Sequence, residues 1–459
     1  MVKCSSTSVF LSLLFLALLS FYLAESYGTA DGMEQWGYAQ VRPKAHMFWW
    51  LYKSPQRIEN GPTPWPTVLW LQGGPGASGV GIGNFEEIGP LDYNLKPRNS
   101  TWLQFADLLF VDNPVGTGYS FVESSSLLVT TDEAAASDLT ELLKQLYNKN
   151  PEMQKSPLYI FAESYGGKYA VTLGLSIVKA VKSGELKLKL GGVAIGDSWI
   201  SPEDFVFSWG PLLLDVSRLD SNAAEKSNSM AEKIKEQIEA GEYGKATNSW
   251  GDLENYIISN SNSIDFYNFL LDSDMDPLGA AASNSITGSN TGLSLRRYSR
   301  YLSTKVASAS DTLSKLMNGV IKDKLKIIPK NITWQEESNE VFTALSNDFM
   351  KPRINEVDEL LSLGVNVTIY SGQLDIICST KGTEAWVQKL KWDGLKNFTN
   401  LARTPLYCNG SDGGTKGFYR SYRNFHFYWV MHAGHFVPYD QPCIALRLVK
   451  ETTQSPASY

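Results

Sequence analysis

YIFAESYGGKYA, residues 159–170, carries an apolar strand into a sharp turn with two glycines and out into a helix. Ser164 stands at that turn. A strand–turn–helix of this kind lifts a serine hydroxyl above the sheet and aims the following backbone N–H, that of Tyr165, at the same point, which is what a nucleophilic serine needs. Ala162 breaks the usual G-x-S-x-G form. Ser198, in GVAIGDSWIS, is a rival that also follows a strand, but Trp199 and Ile200 replace the small residues of a sharp turn and Pro202 comes where a helix would start.

Strand and helix signals alternate outward from this stretch. Trp36–Tyr52, Thr67–Gln72 and Asp107–Asp112 are rich in apolar, aromatic and β-branched residues and read as strands. Thr131–Lys149 switches to helical spacing and Pro151 closes it; Leu158–Ala162 is a buried strand, Lys168–Lys182 the helix behind it, and Leu188–Ile195 another strand. Strand, helix, strand at short spacing predicts a parallel sheet with crossover helices, an α/β fold. The pattern breaks near Ser201, where residues 222–245 are charged and helical and 278–294 are small, polar and aperiodic, as in a surface loop with little order. It resumes after about residue 330 with strands at Val365–Ser371 and Phe425–Met431, a helix at Thr380–Leu390 and another opened by Asp440 and Pro442. The expected organisation is one core in two pieces, 27–200 and 330–459, with a mostly helical insertion over 201–329.

The 459 residues, 43% hydrophobic and 19% charged, are those of a packed globular chain. A net charge of -7 without any basic run argues against nucleic acid as a partner. Lys3, the apolar run Val9–Ala24 and the small residues of Ala24-Glu25-Ser26 mark residues 1–26 as a secretory signal, and no comparable apolar run follows, so no membrane association is expected after its removal. Cys378, Cys408 and Cys443 then remain, enough for one disulfide and a leftover thiol, with the pairing open. Asn99, Asn331, Asn366, Asn397 and Asn409 head glycosylation sequons.

A base must come from His46, His426, His432 or His435. His46 and His426 lie in aromatic strand-like runs, HMFWW and FHFYW, where packing is the ordinary outcome. His432 and His435 form H-x-x-H, but Ala433, Gly434 and Phe436 supply no third ligand, so no metal is expected. His435 lies on a short loop at a strand's end, the place for a general base. Asp375 in GQLD also follows a strand, and there a carboxylate would hold the imidazole's tautomer and stabilise its cation. The order Ser164, Asp375, His435, each just past a strand, is that of α/β-hydrolases. WLQGGPG (70–76) follows a further strand and offers the N–H of Gly74 as a second oxyanion donor.

WLQGGPG, FEEIGP (85–90), DNPVGTGYS (112–120), ESYGGKY (163–169), YSGQLDIIC (370–378) and AGHFVPYDQP (433–442) together resemble the serine carboxypeptidase family, in particular its retinoid-inducible and plant carboxypeptidase-like branch, from about Trp36 to Leu448. The resemblance implies an α/β-hydrolase fold with a helical insertion over the active site, no cofactor, and release of C-terminal amino acids from peptides in acidic compartments or outside the cell. It further implies Ser164 as nucleophile, His435 as base, Asp375 as its orienter, Gly74 and Tyr165 as the oxyanion hole, and Gln72, Glu87 and Glu163 as the grip on the substrate's terminal carboxylate. Three positions depart from the family pattern: Gln72 for asparagine, Ala77 for a disulfide cysteine and Asn113 for glutamine. The longer Gln72 must fold back to reach a substrate carboxylate or meet it at a shifted position. Two carboxyls in one site cannot readily both ionise, so peptide hydrolysis is expected to be best below neutral pH. Two other functions fit the same scaffold: an acyltransferase acting on sugar esters, against which Glu163 in place of aspartate argues, and a non-catalytic protective protein, against which an intact triad argues.

Overall fold

The computed structural model describes residues 26–58, 61, 63–273, 309–408 and 413–457. Most of the expected signal segment, the loop 278–294 and the sequon residue Asn409 lie outside them. The strands are β1 (Ser26–Gly28), β2 (Glu34–Arg42), β3 (Ala45–Tyr52), β4 (Thr67–Leu71), β5 (Asp107–Val111), β6 (Phe121–Val122), β7 (Leu158–Glu163), β8 (Leu190–Gly196), β9 (Val367–Gly372), β10 (Thr404–Leu406), β11 (Gly417–Tyr422) and β12 (Phe425–Val430). They form one sheet in the order β1-β2-β3-β5-β4-β7-β8-β9-β12-β11-β10, with β6 on β3. The block from β5 through β12 is parallel throughout, and antiparallel strands extend it at both edges. The aromatic stretch Trp36–Tyr52 is a hairpin rather than one strand, turning where Lys44 adopts a φ of 64°.

Every residue of β7 is buried, as expected of a central parallel strand covered on both faces. The flanking helices include α1 (Asp132–Tyr147), which packs on α2 (Gly166–Lys182). Helix α2 begins at Gly166, two residues before the expected Lys168, because the turn at Ser164 is tight enough to enter it at once. Between β8 and β9 come α3 (Pro202–Asp215), α4 (Ser221–Glu239) and α5 (Tyr243–Asn260). Two more helices, α6 (Asn339–Phe349) and α7 (Ile354–Ser362), precede β9, and α7 packs against α2. The chain is thus an α/β-hydrolase fold with a mainly helical insertion.

In a parallel sheet the carboxyl ends of neighbouring strands open on one side, where ligands bind. Here the ends of β4, β7, β8, β9 and β12, consecutive in the sheet, lead into Gln72–Gly74, Ser164, Asp197, Asp375 and His435.

Candidate active site

Ser164 holds a φ of 60°, a left-handed backbone that costs a non-glycine residue about 1–3 kcal/mol and persists only where its surroundings enforce it. They do: its N–H donates to the Gly196 carbonyl at 3.1 Å, and its own carbonyl accepts from Gly167 at 3.1 Å and Trp199 at 3.0 Å. The hydroxyl of Ser198 instead donates to the Gly196 carbonyl at 2.8 Å, so the rival serine is a buried brace for the elbow. The turn after β4 lies directly against Ser164. A Cβ on Gly73 would come within 2.5 Å of the Ser164 Cβ and 2.9 Å of the Tyr165 nitrogen, so only glycine lets Gly74 follow so close to the elbow.

His435 and Asp375 are fully buried and joined by a 2.8 Å hydrogen bond from Nδ1 to Oδ2. Cys378 N–H donates to the same oxygen at 3.2 Å. The two loops are knitted by Leu374 N–H on the Ala433 carbonyl at 2.7 Å, and a Cβ on Gly372 would lie 2.0 Å from the Gly434 carbonyl oxygen. The insertion braces both loops: the Tyr267 carbonyl accepts from His435 N–H at 2.9 Å, the Phe266 carbonyl from Ile376 and Ile377 at 3.0 and 3.1 Å, and the Tyr267 ring sits 4.9 Å from the imidazole. Burial pulls His435 down to about 3, against a small upward pull from Glu87. The imidazole is therefore neutral in mild acid, with Nδ1–H committed to Asp375. Its Nε2 makes no hydrogen bond among the described residues, so the contact to Ser164 is not closed.

Gln72, Glu87 and Glu163 converge beside this pair, all of them buried. The amide nitrogen of Gln72 donates to Glu87 Oε1 at 3.1 Å and to Glu163 Oε1 at 3.0 Å, while its oxygen accepts from Trp70 Nε1 at 2.6 Å. The longer side chain thus bridges the two glutamates. The other oxygens, Glu87 Oε2 and Glu163 Oε2, are buried with no hydrogen-bond partner among the described residues. Burial pushes Glu87 up to about 7, moderated by the neighbouring Glu163 and by the hydrogen bond from Gln72, and lifts Glu163 well above the usual carboxyl range, helped by the charge of Glu87.

The other histidines stay out of the site. His46 stacks on Phe121, His426 bonds Tyr419 and Ser421, and His432 is exposed. Asp375, Cys378 and His435 bring ligand-type atoms within 4.8 Å of one another, but burial holds the Cys378 thiol far above its usual range, and a protonated thiol is a poor ligand. The disulfide joins Cys408 to Cys443 and leaves Cys378 as the buried thiol. Of the described sequon residues Asn99, Asn331 and Asn397 are exposed, whereas the Asn366 amide donates to the Gly191 carbonyl at 3.2 Å and is the least suited to carry a glycan.

One residue of this sheet end, Asp197, was not among the expected set. Its only local signal is its place directly after a strand, in the same GDS triplet as the discarded Ser198. The hydrogen bonds that give it meaning join β8 to β9 across the insertion.

The model of the family described as "Serine carboxypeptidase" matches residues 26–455. Serine carboxypeptidase-like 51 of Arabidopsis thaliana is 63% identical over 434 residues, covering 93% of each chain. The retinoid-inducible serine carboxypeptidase of Rattus norvegicus is 47% identical over 447 residues, 96% of this chain and 97% of the relative. Among solved structures, a prohormone-processing carboxypeptidase from Saccharomyces cerevisiae superposes with a TM-score of 0.74 at 22% identity, covering 92% of this chain and 91% of the other, which supports the fold.

Proposed function

The chain belongs to the serine carboxypeptidase family, and from that premise we propose that its hydrolysis of peptides runs through an acyl-enzyme on Ser164. The activity is that of a serine-type carboxypeptidase. The observation that carries the site assignment is the buried 2.8 Å Asp375–His435 pair at the sheet end that also holds the strained Ser164. Ser164 Oγ attacks the last peptide carbonyl while His435 Nε2 takes its proton. The oxyanion is met by the N–H groups of Gly74 and Tyr165, and Asp375 stabilises the imidazolium. His435 then gives the proton to the departing amine, the amino acid leaves, and water clears the acyl-enzyme by the same steps in reverse roles.

Glu87, Glu163 and Gln72 recognise the substrate's terminal carboxylate. Below about pH 7 the glutamates carry protons and donate them to that carboxylate; above it Glu87 ionises and repels it, so KM for peptide acids rises with pH. His435 remains neutral on the acid side, so the enzyme works best in mild acid. That fits a secretory-pathway protein, delivered outside the cell or to an acidic vacuole-like compartment, with residues 1–26 as its signal. The described residues contain no helix long and apolar enough to cross a membrane.

Ser164→Ala tests the assignment. It is expected to abolish labelling by an organophosphonate and to leave only the residual rate from binding and the oxyanion hole, about 10³–10⁴-fold over water in comparable triads. Labelling that persists in Ser164→Ala and vanishes in Ser198→Ala would overturn it.

A further inference from the structure

Between the elbow strand β7 and the Asp375 strand β9 lies β8, whose carboxyl end carries Asp197, 1% exposed and held at a φ of 37°. Its Oδ1 accepts the Gly372 N–H at 2.8 Å. Its carboxyl and that of Asp375, on neighbouring strand ends, act on each other directly. Asp197 Oδ2 and Asp375 Oδ1 are both buried and have no hydrogen-bond partner among the described residues, which leaves each free to share a proton with the other. Two carboxylates cannot bond to each other unless one of them keeps its proton. Among the described residues no Lys or Arg stands by to hold two charges. Facing Asp197 are Asp375, Asp440, Glu163, the Cys378 thiol, the Tyr370 phenol and the Ser371 hydroxyl. No Lys or Arg pairs with Asp197 or Asp375 among the described residues, and Asp375 spends its other oxygen on His435.

We propose that Asp197 is a positioning residue of the triad, a buried carboxylic acid that donates its proton to Asp375 while its carbonyl oxygen anchors to Gly372. The donated hydrogen bond draws negative charge away from the oxygen that faces His435. A weaker carboxylate stabilises the imidazolium less, so His435 stays neutral, and competent as a base, to lower pH. Burial and the adjacent Asp375 both hold the Asp197 proton well above the usual carboxyl range, consistent with this role. Asp197 thereby adapts the triad to acid, resting on the triad assignment above.

The test is the rate of Ser164 inactivation by an organophosphonate against pH, a readout that needs no substrate carboxylate and so bypasses the Glu87–Glu163 pair. Asp197→Asn keeps both bonds, its oxygen on Gly372 and its NH2 on Asp375, but cannot ionise. It is expected to retain the acid limb of the wild type and to extend the plateau on the alkaline side. Asp197→Ala removes the donor. Its acid limb is expected to move up by about one pH unit, which makes inactivation roughly tenfold slower at pH values below the limb. An Asp197→Ala limb that coincides with wild type, or an Asp197→Asn limb that moves with the alanine variant, overturns the proposal. If the alanine variant does not fold, infrared spectroscopy decides: the carbonyl stretch of a buried carboxylic acid is expected in wild type near neutral pH and reduced in Asp197→Asn, and an unchanged band overturns the proposal. Ser164→Ala run alongside separates the two failures. Labelling there defeats the triad itself, whereas its loss with unmoved Asp197 profiles defeats only Asp197.

Discussion

Two buried clusters of charge flank the elbow, and they are built on opposite principles. Toward the first turn of α2, Asp132, Lys168, Asp348 and Arg353 are all buried and all paired. Arg353 reaches Asp132 at 2.9 Å and Asp348 at 3.0 Å, Lys168 donates to the Asp348 and Phe349 carbonyls at 2.6 and 3.0 Å, and the Tyr165 hydroxyl donates to Asp132 at 2.7 Å. Along the strand ends, Glu87, Glu163, Asp197 and Asp375 are equally buried, and among the described residues no Lys or Arg pairs with any of them. The first cluster is neutralised by fixed cations. The second is neutralised by protons, so it responds to pH by construction. Structure rests on the one and chemistry on the other, with Tyr165 joining them: its hydroxyl belongs to the paired cluster and its N–H to the proposed oxyanion hole.

The contrast breaks most visibly at Arg353. Arg353→Ala leaves Asp132 and Asp348 without their main partner and is expected to cost about 3–5 kcal/mol in denaturant unfolding. The pH dependence of stability should survive in that variant, because the removed charge is not a titrating one; a flattened dependence would assign the titration to the wrong cluster.

Next in size is that pH dependence itself. Unfolded, Glu87 gives up its proton near 4.5; folded, it keeps it to about 7, so across this window the folded state holds more protons than the unfolded one. Stability therefore falls as pH rises through the window, by about 3 kcal/mol for this group alone. Urea midpoints measured at both ends of the window should converge in Glu87→Gln, and an undiminished gap would remove Glu87 from the account.

The smallest effect concerns the bridge between the glutamates. Gln72→Ala deletes the neutral donors that organise the carboxyl pair, and KM for peptide acids is expected to rise about tenfold, equivalent to 1.4 kcal/mol, with C-terminal amides affected less. Gln72→Asn should be milder. Equal losses on acids and amides would make Gln72 a structural brace only.

What the chain discloses by itself is what is local. The elbow is legible because an apolar strand, a glycine turn and a helix follow one another within a dozen residues. His435 is legible because histidines are so scarce in this chain. Asp375 needed the order of the three residues, since alone it looks like any turn aspartate. Contacts made across the sheet left no such trace. Asp197 acquires its partners only when β8 meets β9, with Val193 opposite Val367. Gln72 announces an amide, but not that both its N–H bonds end on glutamates from two other segments. The brace from Phe266 and Tyr267 lies in an irregular stretch without periodicity, and the Cys408–Cys443 pairing joins a loop to the start of a helix.

The separation of β8 from β9 also sets the timetable of synthesis. When the ribosome has delivered β8, the sheet ends in an apolar edge of Val193, Ala194 and Ile195, a template for wrong pairing. Its proper neighbour is encoded only after the whole insertion, and the strand that carries His435 later still. Pairings so distant along the chain form slowly. The nascent protein therefore passes through a stage with an open flank. Through that stage it also carries a serine without its base, and the power to cut peptides waits on the strand β12 that leads into His435.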